Sequence, residues 1–157
     1  MQGYVKNLRN KIGTTPIILA SVGVIIYNDK KVLLQRRSDN DLWAIHGGAV
    51  EVGETIEMTM KRELMEEINI TPTKYTLYGI YSGYKMYNKY PNGDEVYYLN
   101  NIFFCEEYTG TLKEDKDEVM ELNWFSVDKL PDNIIGVDKI ILNDLNNYLD
   151  NRLVIVN

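Results

Sequence analysis

The segment from Gly48 to Ile70 constrains this chain more than any other part of it. Arg62, Glu63, Glu66 and Glu67 fall on one short stretch of helical pattern, and Glu54 stands ahead of them. Advancing about 100° per residue from Glu63 puts Glu67 at about +40° and Glu66 at about −60°, so three acids crowd an arc of roughly 100°. Met60, Leu64, Met65 and Ile68 fall on the other side. The pattern predicts an amphipathic helix with an apolar face to bury and an acidic face left over.

A charge run is most often an ordinary solvated face, but energetics argue against that here. Like charges at i,i+3 and i,i+4 cost roughly 0.2–0.5 kcal/mol per pair, and Glu66 and Glu67 stand near the helix C-terminus, the wrong end of the macrodipole for anions. A positive partner is missing from the sequence. Hard divalent cations take oxygen ligands, and magnesium bridges a few carboxylates to substrate phosphates while keeping part of its water. The cluster therefore predicts a metal site that handles phosphate.

The rest of the chain suits a small globular frame for such a site. At 157 residues and 45% hydrophobic content it can bury one core and is too short to expect two, so residues 1–157 are expected to form a single domain. A net charge of −6 leaves no basic stripe to neutralise a nucleic-acid backbone, so stable nucleic-acid binding is not expected. Cys105, the sole cysteine, sits in an apolar run and reads as a buried core residue. No charged-then-apolar leader opens the sequence. The apolar stretch from Ile17 to Tyr27 is interrupted by Ser21 and Gly23 and is too short to span a bilayer. A cytoplasmic location with no membrane partner is the expectation.

Strand patterns alternate with helical ones. Tyr4, Val5, Leu8 and Ile12 have helical spacing and end at Gly13, so residues 1–13 predict a short amphipathic segment. Ile17 to Tyr27 and Lys31 to Arg36 read as strands joined by a turn at Asn28-Asp29-Lys30. Ser38 to Asp41 is loop chemistry leading to Trp43-Ala44-Ile45 and the Gly47-Gly48 pair. Tyr75 to Tyr84 and Val96 to Tyr108 predict a hairpin about the turn Tyr90 to Asp94. Glu121 to Val127 is a further strand, and Ile134 to Leu149 a closing helix with Ile140, Ile141, Leu145 and Leu149 on one side. Mixed strands with few helices argue an α/β fold with a mixed sheet. Tyrosines 75, 78, 81, 84, 87 and 90 recur every third residue, a period that fits neither strand nor helix; filling of strands is the expected role.

These residues resemble the Nudix hydrolase box: G, five residues, E, seven residues, then R-E-U-x-E-E-x-G-U, with U a bulky aliphatic. Gly48, Glu54, Arg62, Glu63, Leu64, Glu66, Glu67 and Ile70 match, and Asn69 replaces the late glycine. Asparagine is the next best residue for a left-handed helix end. The resemblance extends over nearly the whole chain and implies the Nudix fold, a mixed β-sheet sandwiched between α-helices. It implies that the Gly48 carbonyl, Glu63, Glu66 and Glu67 hold metal, Mg2+ or Mn2+, and that Glu54 pairs with Arg62 as a brace.

Other positions carry further implications of the resemblance. Arg37 matches a position that meets substrate phosphates, which suits a guanidinium fork; the alternative is a surface arginine. Glu118 occupies the place of a loop carboxylate used as an extra ligand or base, within a run of acids that is otherwise solvated. His46, where the family commonly has proline, reads as a plain loop residue. The implied reaction is metal-assisted hydrolysis of a diphosphate linkage in a nucleoside diphosphate joined to a group X, with Glu63 or Glu118 taking the proton from water. Nucleoside triphosphates, dinucleoside polyphosphates, nucleotide sugars and ADP-ribose types all stay open: Met86 stands where many ADP-ribose enzymes have proline, and Tyr87 where many dinucleoside-polyphosphate enzymes have tyrosine. A homodimer is left open, and a non-catalytic nucleotide-sensing Nudix module is the competing reading.

Overall fold

The structure is a computed structural model and describes residues 3–157, so Met1 and Gln2 of the predicted N-terminal segment lie outside it. The strands are β1 (Ile17–Asn28), β2 (Lys31–Arg37), β3 (Trp43–Ala44), β4 (His46–Ala49), β5 (Ile70–Tyr81), β6 (Tyr87–Lys89), β7 (Glu95–Gly110), β8 (Val119–Ser126) and β9 (Ile155–Val156). The helices are α1 (Gly3–Ile12), α2 (Ile56–Ile68), α3 (Gly136–Asn143) and α4 (Leu145–Asn151). Among the described residues no helix is long and apolar enough to cross a membrane.

Among the described residues all nine strands join one mixed sheet with the path β3-β2-β1-β7-β5-β9; β4 pairs with β1, β6 with β7 and β8 with β2. β1 organises it. Along one edge it runs parallel to β7 from Ile17↔Val96 to Ile26↔Cys105, and along the other it pairs first with β4 and then with β2. Its burial follows: alternate residues are exposed as far as Ala20, and Ser21 to Ile26 are buried on both faces. Val22, Val24 and Ile26 pack with Met60, Leu64 and Ile68 of α2 on one face. Ile25, Ile102 and Phe104 pack with Ile141, Leu142 and Tyr148 of α3 and α4 on the other. The sheet is thus sandwiched between helices, the α/β arrangement that the resemblance implied.

Three local expectations need correction. The closing helix is two helices, broken at Asp144, which takes φ −84° and ψ −4° and whose Oδ2 accepts from the Tyr81 hydroxyl at 2.8 Å. A polar Asn-Asp pair competes well with helix continuation at such a point. The turn at Tyr90 to Asp94 closes β6 rather than β5 onto β7, although β5 and β7 do pair antiparallel. The period-three tyrosines share no single role. A register shift between Leu77 and Gly79 brings Tyr78 and Tyr81 to the same buried face, whereas Tyr84 is exposed.

Candidate active site

Helix α2 starts where Thr55 caps it, its hydroxyl accepting from the Met58 N–H at 3.2 Å. It ends at Asn69, which takes φ 60° and ψ 41° and does the left-handed work of the replaced glycine. Met60, Leu64 and Ile68 are fully buried, but Met65, expected on the same side, is 46% exposed. The buried arc is centred near Leu64, so it excludes Met65 at one edge and takes in Glu67 at the other. Glu67 is accordingly buried rather than part of a leftover acidic face.

Its carboxylate is held from several sides. The Gln35 amide donates to Oε1 at 3.0 Å, the Gly47 N–H donates to Oε2 at 3.2 Å, and His46 Nδ1 stands 3.5 Å from Oε2. His46 is not a loop residue: it lies in β4 opposite Val24 and is 1% exposed, with neither ring nitrogen hydrogen-bonded. The reason is pairing with β1, which draws the Gly47-Gly48 segment into the sheet. Gly47 has φ 140°, and a Cβ there would collide with the Val22 carbonyl.

Glu63 packs against Gly48 so closely that a Cβ on Gly48 would overlap the carboxylate. Burial pushes the Glu63 carboxyl up to about 7, against the opposing pull of Arg62. Arg62 Nε and Nη2 donate to Glu54 at 2.7 and 2.9 Å, Nη1 donates to Glu63 at 2.6 Å and Glu66 at 3.3 Å, and Nη2 also reaches the Ala49 carbonyl at 3.1 Å. One guanidinium is therefore shared by three carboxylates. Hydrogen bonding from Arg62, aided by the Thr59 hydroxyl, pulls Glu54 down to about 2.

Among the described residues no three His, Cys, Asp or Glu side chains stand as a preformed metal cage. The donor set nevertheless suits a hard cation. Glu63, Glu66, Glu67 and Gly48 line one cleft, and the burial that raises Glu63 exceeds what its share of Arg62 offsets. Oxygen donors with excess negative charge beside an accessible glycine backbone are what a divalent ion requires.

The cleft, about 600 Å³, also takes in Arg37 and Glu118. The Arg37 fork is occupied by Asp39, with Nε and Nη2 each at 2.9 Å from its carboxylate oxygens. Glu118 is exposed at the rim, and its carbonyl accepts from the Ser38 N–H and hydroxyl, both at 3.1 Å. Sequence reasoning passed over Gln35, Ser21, Asn100 and Asp138, which are buried and line the same cleft. The signal for Gln35 was a polar residue closing the apolar run Val32-Leu33-Leu34.

Comparison with known proteins bears on the family and the fold. The family model described as NUDIX domain matches residues 18–145, from β1 into α4. The ADP-ribose pyrophosphatase of Methanocaldococcus jannaschii is 32% identical over 124 residues, 77% of this chain and 69% of that protein. The NAD-capped RNA hydrolase NudC of Vibrio cholerae is 30% identical over 118 residues, 74% of this chain but only 40% of that protein, so the chain spans less than half of its length. A MutT NUDIX hydrolase from Burkholderia pseudomallei superposes with a TM-score of 0.70 at 24% identity, covering 81% of this chain and 97% of that one, a likeness of fold. With its box on α2, its sheet between helices and a family match across most of its length, the chain belongs to the Nudix hydrolase family.

Proposed function

We propose that the chain hydrolyses a diphosphate linkage in a nucleoside diphosphate joined to a group X, with Mg2+ as the cofactor and Mn2+ as a substitute. The observation that carries this reading is the packing of Glu63 against Gly48 beside an Arg62 already shared with Glu54 and Glu66. The Gly48 carbonyl, Glu63, Glu66 and Glu67 would hold the ion. When bound, it supplies charge neutralisation on the phosphate oxygens and acidifies water.

The chain's own residues do the rest. Glu54 and Arg62 tie α2 to β4 through the Ala49 carbonyl and so fix where the acids stand. Gln35 and the Gly47 N–H orient Glu67. Arg37, held at the cleft wall by Asp39, meets the phosphates of the substrate. Glu63, or Glu118 at the rim, takes the proton as water attacks phosphorus in line.

The relatives' names fit this substrate class, ADP-ribose in one case and NAD-capped RNA in the other. The net charge of −6 favours a small nucleotide over a stable nucleic-acid complex. A non-catalytic sensor is disfavoured because the box keeps all its acids. The test is a panel of nucleoside diphosphate derivatives assayed with Mg2+ and with chelator, with products identified. Cleavage at a diphosphate only with the metal supports the proposal; no cleavage of any member with metal present defeats it.

A further inference from the structure

We infer that His46 is a positioning residue for Glu67: from its place between β4 and α2 it donates through Nδ1 to Glu67 Oε2, and so sets how tightly the acids of α2 hold a divalent cation. The inference rests on the metal-site reading and adds to it a residue outside the box. It starts from a buried imidazole, 1% exposed, with neither ring nitrogen hydrogen-bonded and with Nδ1 3.5 Å from Glu67 Oε2.

The register of strand against helix explains why position 46 can do this. In the antiparallel pair of β1 and β4, His46 lies opposite Val24 and Gly48 opposite Val22, so both face the side on which Val22 and Val24 pack against α2. Gly48 meets Glu63 there, and His46 meets Glu67. Two residues along a strand advance about 6.8 Å and four along a helix about 6 Å, so the step from Gly48 back to His46 matches the step from Glu63 on to Glu67. A donor near the base of the side chain at 46 therefore faces the second carboxylate, just as the absence of a side chain at 48 makes room for the first.

Two other donors already fasten Glu67, the Gln35 amide on Oε1 at 3.0 Å and the Gly47 N–H on Oε2 at 3.2 Å. Leu33 and Gln35 share a face of β2, and Leu33 packs in the cluster under α2, so Gln35 also approaches from the sheet. An ionised carboxylate has about four acceptor positions, so three donors from the sheet side restrain it and leave capacity for a cation. The Nδ1 to Oε2 distance lies just beyond the roughly 2.7–3.2 Å of an N–H···O bond, and a small closure completes the pairing. A purely packing role would bury two ring nitrogens unpaired where an apolar side chain would serve better. Hydrogen-bond partners of ligating groups orient them, and losing one typically weakens metal affinity by about 10–100-fold.

The test reads metal binding without turnover. Mn2+ is titrated into the wild type, His46→Phe, His46→Asn and Glu67→Gln in the absence of substrate, with the free ion followed by electron paramagnetic resonance and folding by circular dichroism. The Phe substitution keeps ring bulk and removes both nitrogens, whereas the Asn substitution keeps a donor where Nδ1 stood. His46→Phe should bind Mn2+ roughly tenfold or more weakly, and His46→Asn should stay within about threefold of wild type. His46 is the sole histidine, so the imidazole nitrogen resonances of the wild type belong to it alone, and the neutral ring should carry its proton on Nδ1. Wild-type Mn2+ affinity in folded His46→Phe, a loss in His46→Asn as large as in His46→Phe, or a neutral ring protonated on Nε2 alone overturns the inference. Where His46→Phe does not fold, His46→Asn and the wild-type tautomer decide. No Mn2+ binding by the wild type, or wild-type affinity in Glu67→Gln, defeats the metal-site reading and the inference with it; weakened Glu67→Gln beside an unaffected His46→Phe defeats the inference alone.

Discussion

Arg62 meets Glu54 through two parallel hydrogen bonds, Nε to Oε1 at 2.7 Å and Nη2 to Oε2 at 2.9 Å, and the same guanidinium continues to the Ala49 carbonyl. Bidentate pairing of this kind fixes orientation as well as distance. It links the loop before α2, the helix itself and β4, so Glu63 and Glu66 are held beside β4 by one side chain.

Removing Arg62 leaves Glu54 and Glu63 uncompensated. Arg62→Ala should cost about 2–3 kcal/mol, below the cost for a fully buried pair because both partners keep some solvent contact. It should also lower turnover, since the acids lose their register with β4. Glu54→Gln keeps an acceptor and should be milder. The sign of its pH dependence follows from the lowered carboxyl of Glu54, near 2 against an ordinary 4.5: the pair contributes above about pH 4.5 and is lost as pH falls toward 2. Thermal melts should therefore show the gap between wild type and Glu54→Gln closing on acidification over that window. An unchanged melting temperature and unchanged turnover in Arg62→Ala would remove it from the site.

The three acids of α2 should respond differently to amide substitution. Each of Glu63→Gln, Glu66→Gln and Glu67→Gln is expected to reduce turnover by roughly 10²-fold or more, a loss of the size typical for acid–base and charge-stabilising groups. Stability separates them. Glu63→Gln removes a carboxylate that burial disfavours and should melt no lower than wild type near pH 8. Glu67→Gln puts an amide NH2 against the Gln35 amide or the Gly47 N–H, each a donor, and should melt lower. Near wild-type turnover in all three with magnesium would sink the metal-site assignment.

Legibility in the sequence tracked how local each constraint was. The spacing of Met60, Leu64 and Ile68 gave the buried face of α2, and Asn69 announced its left-handed end, because both are set by neighbours along the chain. Burial of Glu67 depends on Gln35 and Gly47, which β2 and β4 bring in from elsewhere. The burial of His46 has no local signature, because it follows from the pairing of β4 with the distant β1. Likewise the break at Asp144 involves Tyr81, 63 residues away. Ser21 and Asn100 became visible as a pair only through a parallel register between distant strands.

Under the proposed hydrolysis, Glu118 and Glu63 are the two candidates for taking the proton of the attacking water. Ser38 fixes the backbone of Glu118 beside Arg37 and leaves its side chain at the cleft rim, whereas Glu63 is committed to Arg62 and Gly48. Glu118→Gln is therefore expected to lower the maximal rate at saturating Mg2+ by about 10²-fold, the lower end for a general base. A metal ligand mainly weakens metal binding, so magnesium titration of the variant decides the role. Full rescue at high Mg2+ would make Glu118 a ligand, and wild-type behaviour throughout would return it to the solvated acidic run.

Asp138 gives the clearest pH signature outside the carboxylate cluster. Burial pushes its carboxyl up to about 7 from 3.8, against the Ile45 N–H and the Arg37 charge, which favour ionisation, and with Glu67 adding to the rise. The fold thus prefers the neutral acid, while the unfolded chain ionises near its ordinary value. Ionisation on unfolding makes Asp138 a growing liability as pH rises from about 4 to about 7, and a constant one above that. Asp138→Asn keeps an acceptor for the Ile45 N–H and removes the titration. Its melting temperature should match wild type near pH 4, exceed it increasingly up to about pH 7 and keep a constant lead above that, by no more than the roughly 4 kcal/mol that a shift of this size implies. Melts across pH 4 to 8.5 check it: a difference that stays flat, or that falls as pH rises, would show that the Asp138 carboxyl ionises in the fold as it does in the unfolded chain.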